Sequence, residues 1–154
     1  MVNGLAYRLM GRDADVDDLV QESFAQAFAG LGRLEDPQSF AKWLGSVVVR
    51  TASKILRRRR LLTRLGLRRS AEPVDVDTIA ARVVGPDVAA ELRRTYERIE
   101  RLPVDLRVAI VLRRVEGLAL DEVAAALGVS LATAKRRIVA AEAALAGASR
   151  GDPG

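Results

Sequence analysis

The chain contains no cysteine and no histidine. The first absence excludes disulfides and thiolate metal sites. The second excludes His-based acid–base catalysis, Ser-His-Asp triads and His-containing zinc sites. No other acid–base or metal constellation stands out, so neither an enzyme nor a bound cofactor is expected. Aromatic residues are only 4% of the chain, so a core must be built from Leu, Val, Ile and Ala. No apolar run approaches the length of a membrane span. The opening residues, MVNGLAYRLMGR, lack the apolar segment of a signal peptide. The expected compartment is the cytoplasm, with no membrane insertion.

With 154 residues, the chain is long enough for one ordinary domain or two small ones. A hydrophobic content of 49% supports a packed core. Ala and Leu favour helix, and strand-like alternation is hard to find, so the expected class is all-α. The net charge of +5 points toward a polyanionic partner. Composition separates the chain into helical residues 1–60, a mixed stretch 61–90, helical residues 91–146 and a small polar tail 147–154. Gly66, Pro73, Gly85 and Pro86 break the middle stretch. Two small helical domains joined by a linker are therefore expected.

The most specific local pattern is EGLALDEVAAALGVSLATAKRRIVAAEAAL, residues 116–145. Leu120, Val123, Ala124 and Leu127 recur at helical spacing. Gly128 stands where a helix ends in a left-handed residue. Ser130 can cap the next helix, in which Leu131, Ala134, Ile138, Ala141 and Leu145 line one side. Thr133, Arg136 and Arg137 face away from that side, with Lys135 on the shoulder. Two short helices set at an angle by a Gly-containing turn form a DNA-reading helix-turn-helix. Residues near the start of the second helix are those that reach base edges and phosphates. Ahead of it, Leu92, Tyr96, Ile99 and Leu102 form a stripe. Val104, Val108, Val111 and Val115 then line a scaffold helix ended by Gly117.

In the first part, Asp13, Asp15 and Asp18 crowd a helix start, where negative charge suits the helix dipole. Val20, Phe24, Ala27, Phe28 and Leu31 share one face and are expected to pack inward. Asp18, Glu22 and Gln26 lie on the other side, with Leu19 exposed among them. Such a face suits either docking of a basic partner or a solvated surface with one scattered apolar residue.

Asp36-Pro37 then opens another helix, with Phe40, Leu44, Val47, Val48, Thr51 and Ile55 as its core side. Lys42, Ser46, Arg50, Ser53 and Arg57 fall on another side, with Lys54 near the edge and Trp43 between. Arg57, Arg58, Arg59, Arg60, Arg64, Arg68 and Arg69 follow. No acidic residue lies between Asp36 and Glu72. A one-sign block of this kind is neutralised well by a nucleic-acid backbone, or else forms a solvated helix end. A basic stripe beside an indole can hold single-stranded bases by stacking, although a core position is the simpler reading of Trp43 alone.

Two basic helical modules in this order resemble the extracytoplasmic-function sigma factors of bacterial RNA polymerase. DVDDLVQESFAQAF (residues 15–28) resembles the family's polymerase-docking signature. FAKWL (residues 40–44) and the basic helix to Arg60 resemble its −10 promoter region. RLPVDLRVAIVLRRVEGLALDEVAAALGVSLATAKRRI (residues 101–138) resembles its −35-binding region. The resemblance implies that Asp18, Leu19, Gln21 and Glu22 grip core RNA polymerase. It implies that residues 32–39 border a pocket for a flipped −10 base. Trp43, Arg50, Lys54, Arg57 and Arg58 would hold the opened strand, and Thr133, Lys135, Arg136 and Arg137 would enter the −35 major groove. It further implies an anti-sigma partner.

Four features depart from the family pattern. The reading helix usually continues with arginines, but here it runs Val139, Ala140, Ala141 and Glu142. A further helical segment normally precedes the position of Leu5. The usual Arg-Asn pair of the −10 helix is Val49-Arg50, which puts an exposed Val49 on the nucleic-acid face. Ala119 replaces a capping Ser or Thr. The alternatives to a promoter-directing sigma factor are a sigma-like decoy that binds an anti-sigma factor and a plain helix-turn-helix regulator of duplex DNA.

Overall fold

A computed structural model describes residues 2–11, 15–67 and 86–149. All regular elements among them are helical. Helix α1 (Val2–Met10) stops at Gly11, whose φ of +71° takes the left-handed turn that side chains disfavour. Helix α2 (Val16–Gly30) begins with Asp17 and Asp18 in its first turn. Two short 3-10 turns follow, Leu31–Arg33 and Pro37–Ser39. The Asp36 carboxylate organises the second: it accepts from the Gln38 amide at 2.9 Å and from the Ser39 hydroxyl at 2.7 Å. From there α3 (Phe40–Arg64) runs for 25 residues. The second module comprises α4 (Pro86–Arg101), α5 (Val104–Ile110) continued by a π turn (Val111–Val115), α6 (Leu120–Leu127) and α7 (Leu131–Ser149). The expected 61–90 linker overlaps the ends of α3 and α4, and its middle lies outside the described residues.

Helix α2 is turned relative to the expectation. Val16, Leu19, Ser23 and Ala27 are its buried stripe, and Leu19 is fully buried. Phe24 and Phe28 are 52% and 85% exposed. Both stripes satisfy helical spacing, and hydrophobicity alone selects the aromatic one. The small stripe wins because α1 and α3 both pack on α2; Ser and Ala let the helix axes approach closely. Leu19 is therefore a core residue and not an exposed docking residue.

Helix α3 buries Leu44, Val47, Val48, Thr51, Ala52 and Leu56, together with Val49 at 2% exposure. The expected exposed Val49 is thus corrected: the arc that α3 buries is wide enough to include it. Phe40, expected inside, is 40% exposed at the helix start.

The second module packs α5 and α6 against α7. Val108, Val111, Val123, Ala134 and Ala141 are completely buried there. Val115 and Leu131 depart from the expected stripes, at 44% and 52% exposure. The π turn accounts for Val115, since its extra residue per turn rotates that position off the α5 stripe. Leu131 is the first residue of α7 and lies beyond the reach of its core. The side chain of Leu92, assigned to the α4 stripe, lies outside those described.

The buried residues of both modules form one continuous cluster, from Val2 to Ala141. Helix α3 bridges them by packing on both α5 and α6.

Candidate nucleic-acid interface

The helix-turn-helix is built from local signals. Glu122 accepts from the Ala119 amide at 3.0 Å, supplying the half of a capping box that an alanine cap permits. That amide, and then Lys42 beside it, lower the Glu122 pKa below the ordinary carboxylate value. Gly128 closes α6 at φ +64°. The Ser130 hydroxyl accepts from the Thr133 amide at 3.2 Å, starting α7 where the reading helix should begin.

The four expected reader residues on α7 divide into two groups. Lys135 and Arg136 are exposed. Thr133 is half-buried, 2.9 Å from the Ser130 hydroxyl, and its own hydroxyl accepts from Arg136 at 3.1 Å. Arg137 turns back instead. It pairs with Asp105 at 3.1 Å and its side chain is only 22% exposed. Downstream, Glu142 pairs with Arg114 at 2.5 Å, tying the π turn to α7.

The expected strand-holding residues lie on α3. Arg50 and Arg58 are exposed. Lys54 pairs with Glu22 of α2 at 3.3 Å, so one residue assigned to DNA and one assigned to polymerase hold each other. Arg57 pairs with Asp105 at 2.5 Å. Trp43 is half-buried: its ring lies across Gly30, where an added Cβ would sit 3.1 Å from it, and 6.0 Å from the Phe40 ring. That arrangement fixes the indole against the end of α2. On α2, Asp18 and Gln21 are exposed and Glu22 is half-buried.

Sequence reasoning missed Asp105. It reads as an ordinary first-turn acid of α5, yet it joins Arg57 to Arg137 across the two modules. It also missed Arg8, which pairs with Glu116 through both carboxylate oxygens. That partner raises the Arg8 pKa above its ordinary value. Pairing across 108 residues leaves no trace in local periodicity.

Residues 1–62 match the family model for sigma-70 region 2, and residues 92–145 match that for sigma-70 region 4. Relatives include the ECF RNA polymerase sigma factor SigE of Mycolicibacterium smegmatis, 33% identical over 87% of this chain and 51% of its own length. The ECF RNA polymerase sigma-E factor of Haemophilus influenzae is 34% identical over 89% of this chain and 75% of its own length. Thus the chain spans about half the length of the first and three quarters of the second. Among solved structures, CnrH in complex with the cytosolic domain of CnrY superposes with a TM-score of 0.64 at 30% identity, over 99% of this chain and 82% of that one. The sigma factor RpoE of Bartonella quintana, in complex with the anti-sigma factor NepR, shares the fold with a TM-score of 0.69 at 22% identity, over 99% of this chain and 91% of that one. Region 2 and region 4 in one chain, together with a relative 34% identical and matched over 75% of its own length, establish that the chain belongs to the extracytoplasmic-function sigma factors of bacterial RNA polymerase.

Proposed function

We propose that this chain binds core RNA polymerase in the cytoplasm and directs it to a subset of promoters, without catalysing a reaction itself. The observation that carries the reading is the Ser130-capped α7, which displays Lys135 and Arg136 outward on the same chain as the basic α3. The start of α2, with Asp18 and Gln21 exposed and Glu22 half-buried beside Lys54, is the surface offered to polymerase. Leu19 is not part of it, because a fully buried side chain touches no partner. Arg50, Lys54, Arg57 and Arg58 contact the −10 strand, with Trp43 as a stacking platform at their edge. Thr133, Lys135, Arg136 and Arg137 serve the −35 element. An anti-sigma protein is the expected inhibitor, in keeping with the two solved neighbours in complexes. Burial of Val49 removes one reason to prefer a decoy, since that side chain is not presented on the basic face.

Run-off transcription with core polymerase on a panel of genomic promoters tests the proposal. Discrete transcripts that depend on this chain are expected. Polymerase binding without transcripts would replace the reading with the decoy, and duplex binding without polymerase binding would replace it with a plain regulator.

A further inference from the structure

The last turns of α3 leave the core. Leu56 is the last buried residue of the helix, which continues to Arg64. Beyond it Leu61, Leu65 and Leu67 are 57%, 61% and 73% exposed. Backbone hydrogen bonds close this end. The Leu65 amide donates to the Leu61 carbonyl at 3.0 Å, the Gly66 amide to Thr63 at 3.1 Å and the Leu67 amide to Leu62 at 3.0 Å. Gly66 supplies the φ of +70° that such a closing turn needs. Three leucines are thus held in solvent at one end of the molecule by an ordered backbone.

Leu61 and Leu65 stand one turn apart, about 40° from each other around the axis. Arg57 and Arg64 lie on one edge of that strip and Arg58 on the other. Arg57 is engaged by Asp105, whereas Arg58 and Arg64 are exposed. No acidic residue lies between Asp36 and Glu72 to neutralise them. A nucleic-acid backbone accounts for the arginines but not for the leucines, because apolar surface gains only by leaving water for an apolar environment.

We propose that this end of α3 docks on an anionic lipid surface, with Leu61, Leu65 and Leu67 entering the headgroup boundary and Arg58 and Arg64 meeting lipid phosphates. A narrow apolar strip bordered by cations is the pattern that lies in a membrane interface. Arginine stems run along the apolar strip while the guanidinium groups stay at headgroup level. An anionic leaflet presents phosphates to both edges of the helix at once, whereas a protein partner must place its acids in register with each edge. Among the described residues no helix is long and apolar enough to cross a membrane, so the contact is peripheral. The proposal does not depend on the promoter-directing reading.

The test is co-sedimentation of the full chain, at low salt, with phosphatidylcholine vesicles that contain either no phosphatidylglycerol or about one third of it. Binding is expected to the mixed vesicles and not to the neutral ones, and it should decline as salt rises. The double variant Leu61→Gln with Leu65→Gln should weaken it by about tenfold or more. Arg58→Gln with Arg64→Gln should weaken it by about the same factor. Leu67→Gln, beyond the helix, should act in the same direction and serves if the double leucine variant proves poorly folded. Val139→Gln, at an exposed apolar residue of α7, should leave binding unchanged.

Equal binding to both kinds of vesicle, or to neither, would overturn the lipid assignment. Binding that needs the arginines but ignores all three leucines would be adsorption by charge and would overturn the insertion. An equal loss with Val139→Gln would move the contact away from α3. A chain that ignores vesicles but holds a synthetic helix of glutamates around a leucine stripe, through these same leucines, would replace lipid with an acidic protein partner.

Discussion

Leu19 and Phe28 exchange the places that hydrophobicity assigns them, and the exchange sets measurable costs. Leu19 is fully buried between helices, so Leu19→Ala is expected to destabilise the chain by about 2–5 kcal/mol through lost burial and a residual cavity. Phe28 is 85% exposed, so Phe28→Ala should change stability by less than about 1 kcal/mol. Urea unfolding of the two variants checks both values, and a larger loss for Phe28→Ala would contradict the packing of α2. The reading helix supports a second contrast. Arg136 is exposed and, among the described residues, its guanidinium bonds to Thr133 of its own helix, which leaves it positioned to read a base edge. Arg136→Ala is expected to lower the preference for a cognate −35 duplex over a scrambled one by about 1–3 kcal/mol in the holoenzyme. Equal losses on the two duplexes would make Arg136 a backbone contact only. Single-residue exposure was the least legible level of the sequence. Leu19 and Val49 were both expected outside, and both are enclosed by helices remote in sequence. A residue's own spacing does not say which of two apolar stripes its neighbours will cover.

The helix-turn-helix was legible because its signals are local. Gly128 supplies the left-handed stop and Ser130 the cap, while Ala134, Ile138 and Ala141 repeat at helical spacing toward the core. Each signal depends on residues within about one turn of it. Gly128→Ala is therefore expected to cost about 1 kcal/mol, since φ +64° suits glycine and little else there. Thermal melts of that variant provide the measure, and an unchanged midpoint would show that α6 can end another way. Asp36 followed by Pro37 was legible for the same reason, although it opens the 3-10 turn that leads into α3 and not α3 itself. The π turn after α5, which packs against α1 and α6, was not legible, because its extra residue per turn leaves no mark in composition. The two carboxylates at helix starts also set a pH dependence. Donation from the Ser39 hydroxyl and then the Gln38 amide holds the Asp36 pKa below its ordinary value. Glu122 is lowered by the Ala119 amide and then by Lys42. Depressed carboxylates stabilise the fold fully above the ordinary carboxylate range, and that contribution is lost as pH falls through and below it. Asp36→Asn and Glu122→Gln should each flatten the acid side of a stability–pH curve. Parallel acid limbs for the wild type and both variants would rule out this coupling.

Across the whole molecule, apolar burial and ion pairing respond differently to salt. The cluster from Val2 to Ala141 joins both modules with buried Leu, Val, Ile and Ala, and salt at moderate concentration changes that term little. The pairs Arg8–Glu116, Lys42–Glu122 and Arg57–Asp105 lie near the surface, where screening acts on them directly. The screening length falls from about 10 Å at 0.1 M to about 3 Å at 1 M. Raising salt therefore weakens the cross-module pairs and leaves the apolar term in place. Asp105→Asn removes the charge from one such pair and from the pair with Arg137, and leaves the cluster untouched, so it is expected to cost about 1 kcal/mol of stability at low salt and less at 1 M. Urea unfolding of the wild type and the variant at a series of salt concentrations gives both values. An equal loss at every salt concentration would mean that Asp105 stabilises the fold through something other than these screened pairs.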